Sequence, residues 1–531
     1  MKRFSKRLLA IVLSLTIILA TFAFSASTSA SNDPGTDIPL IYVVGTGGHL
    51  IADNPDGTTR KIFPLVLPEN FIMDTVEANI GIFAKAVITQ QWDEFCDVLY
   101  DTISPLYADL MLDENGDPRD NSRADIDSRD RINPAKVNGK YGTEQFKFNY
   151  DWRVDPYVTA EKLHEYIEAV MAATGETEVA LLGRCLGDCI TAAYMEKYDG
   201  EYVADYISYA SAVNGAEFCS KAFCGEIYLD ADGIERYVYD LELATDSNIN
   251  ELIQAFATVL NETYGLDFLA WSVNNVYPDI YLNIVPRLLR SMYGNFPAYW
   301  AMVSDEDYEK AKETVFHGTD TATYANFINR IDAYHYNVQV KLPELWKGFQ
   351  EDGINMANVT KYGYQSLPII ENADVLGEDF CTVAKASLGA TTSTIDTVLS
   401  DDYIAAAQAN GTDKYISPDK QIDASTCVLP ETTWFIKNMK HANFPDSINR
   451  LFDRIINIEG FNVFSDADYP QFLVYDDETS AIYPMIPENM NTTERYNPDF
   501  FKSLKKIFEF LFGLIKDAIA NSTAPEAAPA E

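Results

Sequence analysis

The chain has 531 residues, with 80 Asp and Glu against 40 Lys and Arg, a net charge of −40 and a pI near 4.3. So acidic a molecule repels phosphate backbones and anionic bilayers, which argues against nucleic acid as a partner and against electrostatic docking of the whole molecule on a membrane. Its length exceeds one ordinary compact core of about 150–250 residues, which predicts one large α/β domain carrying insertions, or two domains.

Residues 1–30 have a basic start (Lys2, Arg3, Lys6, Arg7), an apolar run from Leu8 to Phe24 and a small-residue exit at Ala30. This pattern predicts a secretory signal peptide cleaved after Ala30, with an uncleaved anchor as the alternative; either places the bulk of the chain outside the cytoplasm. The cysteines are Cys96, Cys185, Cys189, Cys219, Cys224, Cys381 and Cys427, an odd number that leaves at least one thiol unpaired or bridged between molecules. Cys219 and Cys224 form the best local pair.

The first part of the predicted core runs from 31 to 218. A β-branched strand from Asp37 to Val44 ends in Gly45, Thr46, Gly47, Gly48 and His49, the place where hydrolases carry a loop whose backbone N–H groups stabilise an oxyanion. Residues 70–112, with Trp92, are apolar at helical spacing, and 113–133 reads as a polar surface loop. The turn at Asp113 to Gly116 lacks the full ligand spacing of a calcium loop. Period-two placement from Phe146 to Arg153 is followed by a helix opened by Asp155 and Pro156, with Leu163, Ile167 and Val170 on one face and Gly175 at its end.

The stretch from Glu178 to Lys197 then reads as strand, sharp turn and helix, with Gly183-Arg-Cys185-Leu-Gly187 at the turn. Flanking glycines let backbone approach closely enough for such a turn to hold its central side chain above the sheet edge, the arrangement of a nucleophile elbow. A further strand runs from Val203 to Ala210, so strands and helices alternate as in a parallel sheet.

These residues resemble the lecithin–cholesterol acyltransferase-like group of α/β-hydrolases, which includes secreted and lysosomal phospholipases and acyltransferases. The resemblance rests on Tyr150-Asp-Trp-Arg153, the helix and elbow strand that follow it, and the strand and turn from Tyr206 to Gly215. It implies an α/β-hydrolase fold: a mostly parallel central sheet with helices on both faces and an inserted helical cap. Two residues depart from that pattern, Cys185 where the group has Ser and Asp188 where it has a small residue.

Residues 219–360 show no strand–helix alternation. Asp230 to Gly233 reads as a hairpin turn, and long amphipathic runs such as Leu252–Leu260 and Tyr281–Tyr293 read as a mainly helical cap whose aromatics would line an acyl pocket. The segment from Phe296 to Trp300 is similar to one near the lid of that group. The second part of the core spans 361–485, beginning with a strand near Tyr362.

An α/β-hydrolase triad runs nucleophile, acid, histidine along the chain, and Cys185, Asp419 and His441 obey that order. The resemblance supplies the acid: Asp419 sits where the group's turn carries it, with Asp423 in reserve. Of His49, His164, His317, His335 and His441, only His441 stands late in the core, and the helical segment after it from Pro445 to Ile456 is similar to the group's catalytic-histidine loop. Thr46 and Leu186 are the expected oxyanion donors, and no metal or cofactor is expected. The reading is a secreted hydrolase or acyltransferase acting on carboxylic or acyl-lipid esters through an acyl-thioester; a non-enzymatic binding or surface protein on the same fold is its rival. Finally, 486–520 forms an amphipathic helix rich in Phe, with Lys502, Lys505, Lys506 and Lys516, suited to a lipid interface, and 521–531 is a disordered tail.

Overall fold

The computed structural model describes residues 34–65, 93–241, 247–268, 289–371, 373–490 and 496–523, with single positions between 81 and 91 and between 270 and 287. The predicted leader at 1–30, Trp92, the run at 281–285 and residues 524–531 lie outside the described residues.

Eight strands build the main sheet: β1 Leu40–Val43, β2 Phe146–Phe148, β3 Val179–Cys185, β4 Val203–Ser211, β5 Asn355–Tyr362, β6 Thr433–Lys437, β7 Phe472–Asp476 and β8 Ala481–Pro484. Their order across the sheet is β2-β1-β3-β4-β5-β6-β7-β8. Every neighbouring pair is parallel except β7 and β8. This is an α/β architecture, and its inner strands are almost wholly buried because both faces of the sheet are covered. In β3 every residue is buried.

Alternate residues point to opposite faces. Leu40, Leu182, Ile207, Val359 and Ile436 form one face with Ile448, Leu451, Phe452 and Ile455 of a helix at Asp446–Asn457. On the other face pack α1 Pro156–Thr174 and α2 Leu186–Tyr198, where Ile41, Leu181 and Tyr206 are fully buried. The start and stop signals of α1 act as expected: the Asp155 side chain accepts from Tyr157 N, Pro156 fills the first turn, and Gly175 ends the helix at φ 81°.

The chain leaves β1 to one side for β2 and returns on its other side for β3, with Val43 paired to Gly183. The carboxyl ends of β1 and β3 therefore flank a topological switch point, where open α/β sheets leave a crevice for ligands.

Two compact units are present. The larger draws on the chain up to 226, on 276–366 and on 374–491, and contains the sheet; the smaller draws on 227–275, 367–373 and the residues from 492. The stretch 219–360 contributes helices to both. Within the smaller unit, helix Phe500–Thr523 packs along helix Ser247–Glu262. Asp230 opens no hairpin there: its carboxylate accepts from Gly233 N at the start of helix Ala231–Leu241, because an Asp just ahead of a helix satisfies a first-turn N–H as readily as it turns a strand. Among the described residues no helix is long and apolar enough to cross a membrane.

The first turn of α2 lies against β1, and a Cβ on Gly187 would fall 2.1 Å from Val43 O. Because that obstacle is strand backbone, Gly187→Ala is expected to cost about 1–3 kcal/mol or more, read as a lowered urea midpoint at unchanged slope.

Candidate active site

Cys185 ends β3 and precedes α2 with φ 53° and ψ −126°, a conformation that L-residues rarely adopt and that a surrounding structure must impose. The glycines on either side make this turn. A Cβ on Gly183 would lie 2.4 Å from Thr191 Oγ1, and one on Gly45 would lie 3.0 Å from the Cys185 Cβ. Side chains at these positions would push α2 and the 45–48 loop away from the sulfur. The thiol is thus held at the β1/β3 switch point, with Cys185 only 4% exposed.

His441 lies just past β6. Its Nδ1 is 2.5 Å from Glu378 Oε1, and its backbone N–H donates to Glu378 O at 2.8 Å. The ring also hydrogen-bonds the Cys185 sulfur, and with Nδ1 engaged that bond falls to Nε2. Burial disfavours the imidazolium, but the Glu378 carboxylate and the Cys185 thiolate override it and hold His441 at about 9. Burial likewise pushes the Cys185 thiol up, yet the His441 charge and hydrogen bond, the Leu186 N–H and the Arg184 guanidinium outweigh it, so the thiol lies below its ordinary value. The other described cysteines move the opposite way: burial lifts Cys189, Cys219 and Cys381 well up and takes Cys224 and Cys427 to about 12.

The carboxylate that orients the imidazole is Glu378 and not Asp419. Asp419 is bound at 2.7 Å to Lys437 of β6, at 3.0 Å to Tyr362 of β5 and at 2.6 Å to Ser417, which close its turn onto the sheet. The reserve candidate Asp423 caps Ser425 N at 2.8 Å and accepts from the Tyr403 hydroxyl. Glu378 arrives by another route, since the chain after β5 folds back as the short pair Tyr364–Gln365 and Leu376–Gly377 and delivers the next residue to His441. In the sequence it stands within Gly377-Glu-Asp379, between Cys185 and His441, with no periodic pattern to mark it.

Leu186 N–H is directed at the sulfur from the first turn of α2. Thr46 stands in the half-buried 45–48 loop, with its side chain on the Tyr299 hydroxyl. That loop is fixed by the aromatic stretch singled out in the sequence: the Tyr150 hydroxyl donates to Val44 O at 2.9 Å and the Trp152 indole donates to Gly48 O at 3.0 Å. Arg153, fully buried, pairs with Asp151 at 2.6 Å and donates to Leu110 O and Ser122 Oγ, which anchors the stretch itself. Asp188, under the sheet, accepts from the hydroxyls of Tyr206, Ser208 and Ser211; burial raises its carboxyl to about 6 against those bonds.

The remaining described histidine side chains serve elsewhere. His49 is exposed and faces Asp125 at 3.5 Å, His164 stacks on Tyr198, His317 is exposed, and His335 stacks on Tyr308. The six described cysteines are all buried and unbridged. Cys219 and Cys224 share one helix, Glu217–Cys224, on which five positions turn them to different sides, and Cys224 donates to Asp307 O. Donor atoms of Glu378, Cys381 and His441 fall within 4.8 Å of one another. The 2.5 Å separation of the first and last is that of a hydrogen bond, whereas two donors on one tetrahedral zinc stand about 3.3 Å apart given bonds of ~2.0–2.1 Å.

Comparison with protein-family models, with curated proteins and with solved structures finds no match.

Two substitutions separate the carboxylates. Glu378→Gln is expected to lower His441 from about 9, raise the thiol and slow iodoacetamide labelling of Cys185 by at least about tenfold at pH 7. Asp419→Asn is expected to leave labelling unchanged while stranding buried Lys437, at a cost of about 3 kcal/mol in urea unfolding.

Proposed function

We propose that the protein is an α/β-hydrolase-fold acyl hydrolase that cleaves carboxylic esters through Cys185, His441 and Glu378. The observation that carries the reading is the strained Cys185 thiol, held below its ordinary value by an imidazolium that a buried carboxylate orients. The strand order agrees with it: nucleophile after β3, acid after β5 and histidine after β6, in the chain order Cys, Glu, His.

The thiolate of Cys185 attacks the ester carbonyl, forming a C–S bond, while N–H groups of Leu186 and the Thr46 loop receive the developing oxyanion. As the tetrahedral centre collapses the C–O bond breaks, and His441 Nε2 gives its proton to the departing alkoxide. Water then loses a proton to His441 and attacks the thioester; the C–S bond breaks, releasing carboxylic acid and thiolate. An alcohol in place of water would make the same step an acyl transfer. Throughout, Glu378 holds the ring and balances its charge without taking a proton.

A lipid-like acyl group suits the surroundings. From the His441 ring a run of aromatic contacts passes through Phe380, Phe218, Tyr293 and Tyr299 to Trp152, with centroid spacings of 4.9–6.2 Å. Helix Phe500–Thr523 supports a lipid surface as its partner: Phe501, Phe508 and Phe512, spaced along one stripe, are 79%, 58% and 74% exposed, and Lys502 and Lys505 stand beside them in a chain of net charge −40. The leader at 1–30 agrees with a site of action outside the cytoplasm.

Short-chain p-nitrophenyl esters test the reaction. Turnover by the wild type and none by Cys185→Ala is expected; absence of both turnover and preferential Cys185 labelling would leave a binding protein on the same fold. The kcat/KM profile is expected to rise as the Cys185–His441 ion pair forms and to fall again near pH 9, where His441 loses the proton the leaving group needs. Cys185→Ser is expected to lose most activity near neutral pH, since a hydroxyl does not ionise beside His441 and no thiolate is available to attack. Phe501→Ser combined with Phe508→Ser and Phe512→Ser is expected to abolish co-sedimentation with vesicles of phosphatidylcholine and phosphatidylglycerol while leaving p-nitrophenyl ester turnover intact.

A further inference from the structure

Lys361 is the next-to-last residue of β5, and its side chain is fully buried. Among the described residues no carboxylate lies within ion-pair distance of its Nζ. Instead it donates to three backbone carbonyls of one loop: Lys440 O at 3.1 Å, His441 O at 2.7 Å and Asn443 O at 2.8 Å. Arg184, beside the nucleophile, donates to the same loop at His441 O and Ala442 O, each at 2.9 Å, and the Tyr209 hydroxyl donates to Asn443 O at 2.9 Å. Two cations from neighbouring parts of the sheet thus end on the carbonyls of the loop that carries His441.

We propose that Lys361 is a positioning residue whose ammonium group, with Arg184, locks the 440–443 loop so that His441 lies between Cys185 and Glu378, and whose charge supports the Cys185 thiolate. The inference rests on the reading of Cys185 as nucleophile for its kinetic consequence, and on geometry alone for the loop.

The donor count makes the ammonium necessary. An ammonium has three N–H groups and the loop offers three carbonyls, whereas a neutral amine has two. Losing the proton therefore breaks at least one of the three bonds and leaves a buried carbonyl unmet. The groups that face Nζ are Arg184 and Cys185 from β3, the Tyr209 ring of β4 at 4.4 Å, and Glu378 and Asp379 from the turn after β5. Burial and the Arg184 charge drive the Lys361 proton off, against Glu378, Asp379 and Cys185, and bring it to about 7. The lock therefore loosens as pH rises through neutrality, within the range in which His441 itself stays protonated.

Amide hydrogen exchange and iodoacetamide kinetics on the full chain test this. In the wild type, exchange of the peptide spanning 438–444, corrected for intrinsic rate, is expected to be faster at pH 8.5 than at pH 6; equal protection at both would overturn the proposal without any variant. Lys361→Met is expected to raise the apparent Cys185 pKa by about one unit, cutting labelling at pH 6 by about tenfold, and Lys361→Arg is expected to restore most of it with no exchange step near pH 7. A folded Lys361→Met variant with wild-type labelling and wild-type loop protection overturns the proposal. If wild-type Cys185 shows no preferential labelling, the functional reading fails, and the exchange experiment still decides the loop's dependence on Lys361.

Discussion

The first turn of α2 runs so close to the end of β1 that only glycine fits at 187, where a Cβ would meet the carbonyl oxygens of Val43 and Val44 at 2.1 and 2.6 Å. That approach forces the chain to turn within one residue, and Cys185 takes the strain at φ 53°. The sulfur is left pointing over the gap between β1 and β3. Everything around the turn keeps the two segments from springing apart: β3 pairs with β1 on one side and β4 on the other, and Tyr150 and Trp152 tie down the loop that leaves β1. A turn strained in isolation becomes stable because its neighbours are over-determined.

The electrostatics follow from the burial that this packing imposes. A thiolate taken out of water needs compensation, and it comes from His441, from Leu186 N–H and from Arg184. The imidazolium in turn needs Glu378. Arg184 and Lys361 are themselves buried cations, and both end on backbone carbonyls. Neutral dipoles satisfy their hydrogen bonds without cancelling their charge, so the positive field remains available to the thiolate. A carboxylate partner for either would remove that field and would compete with Glu378 for His441.

What was legible in the sequence follows the range of the interactions involved. The elbow, the helix caps at Asp155 and Gly175 and the strand–helix alternation are written in neighbouring residues, so local pattern reading reaches them. His441 was reachable by elimination among five histidines. Glu378 was not, because its selection depends on a fold-back after β5 only two residues deep in each strand, too short to leave a periodic signal. Asp419 has the right residue type in the right order, but Lys437 and Tyr362 claim its oxygens from the sheet, a contact across strands that spacing along the chain does not reveal. The same holds for Lys361, which reads in sequence as an ordinary polar strand end.

Asp188 and Cys185, the two departures from a serine-type elbow, have a common logic. Asp188 lies beneath the turn and collects the hydroxyls of Tyr206, Ser208 and Ser211, tying α2 to β4 from below by bonds that a small residue could not make. Burial raises its carboxyl to about 6 against the bonds from those three hydroxyls. A serine at 185 would keep its proton until His441 took it during attack, whereas His441, the Leu186 N–H and Arg184 favour an anion at this position. A thiol ionises into that pattern directly. Sulfur, the buried cations and the strongly held histidine are therefore parts of one arrangement, and in the proposed reaction the ion pair is formed before substrate arrives and the histidine's first task is to give a proton away.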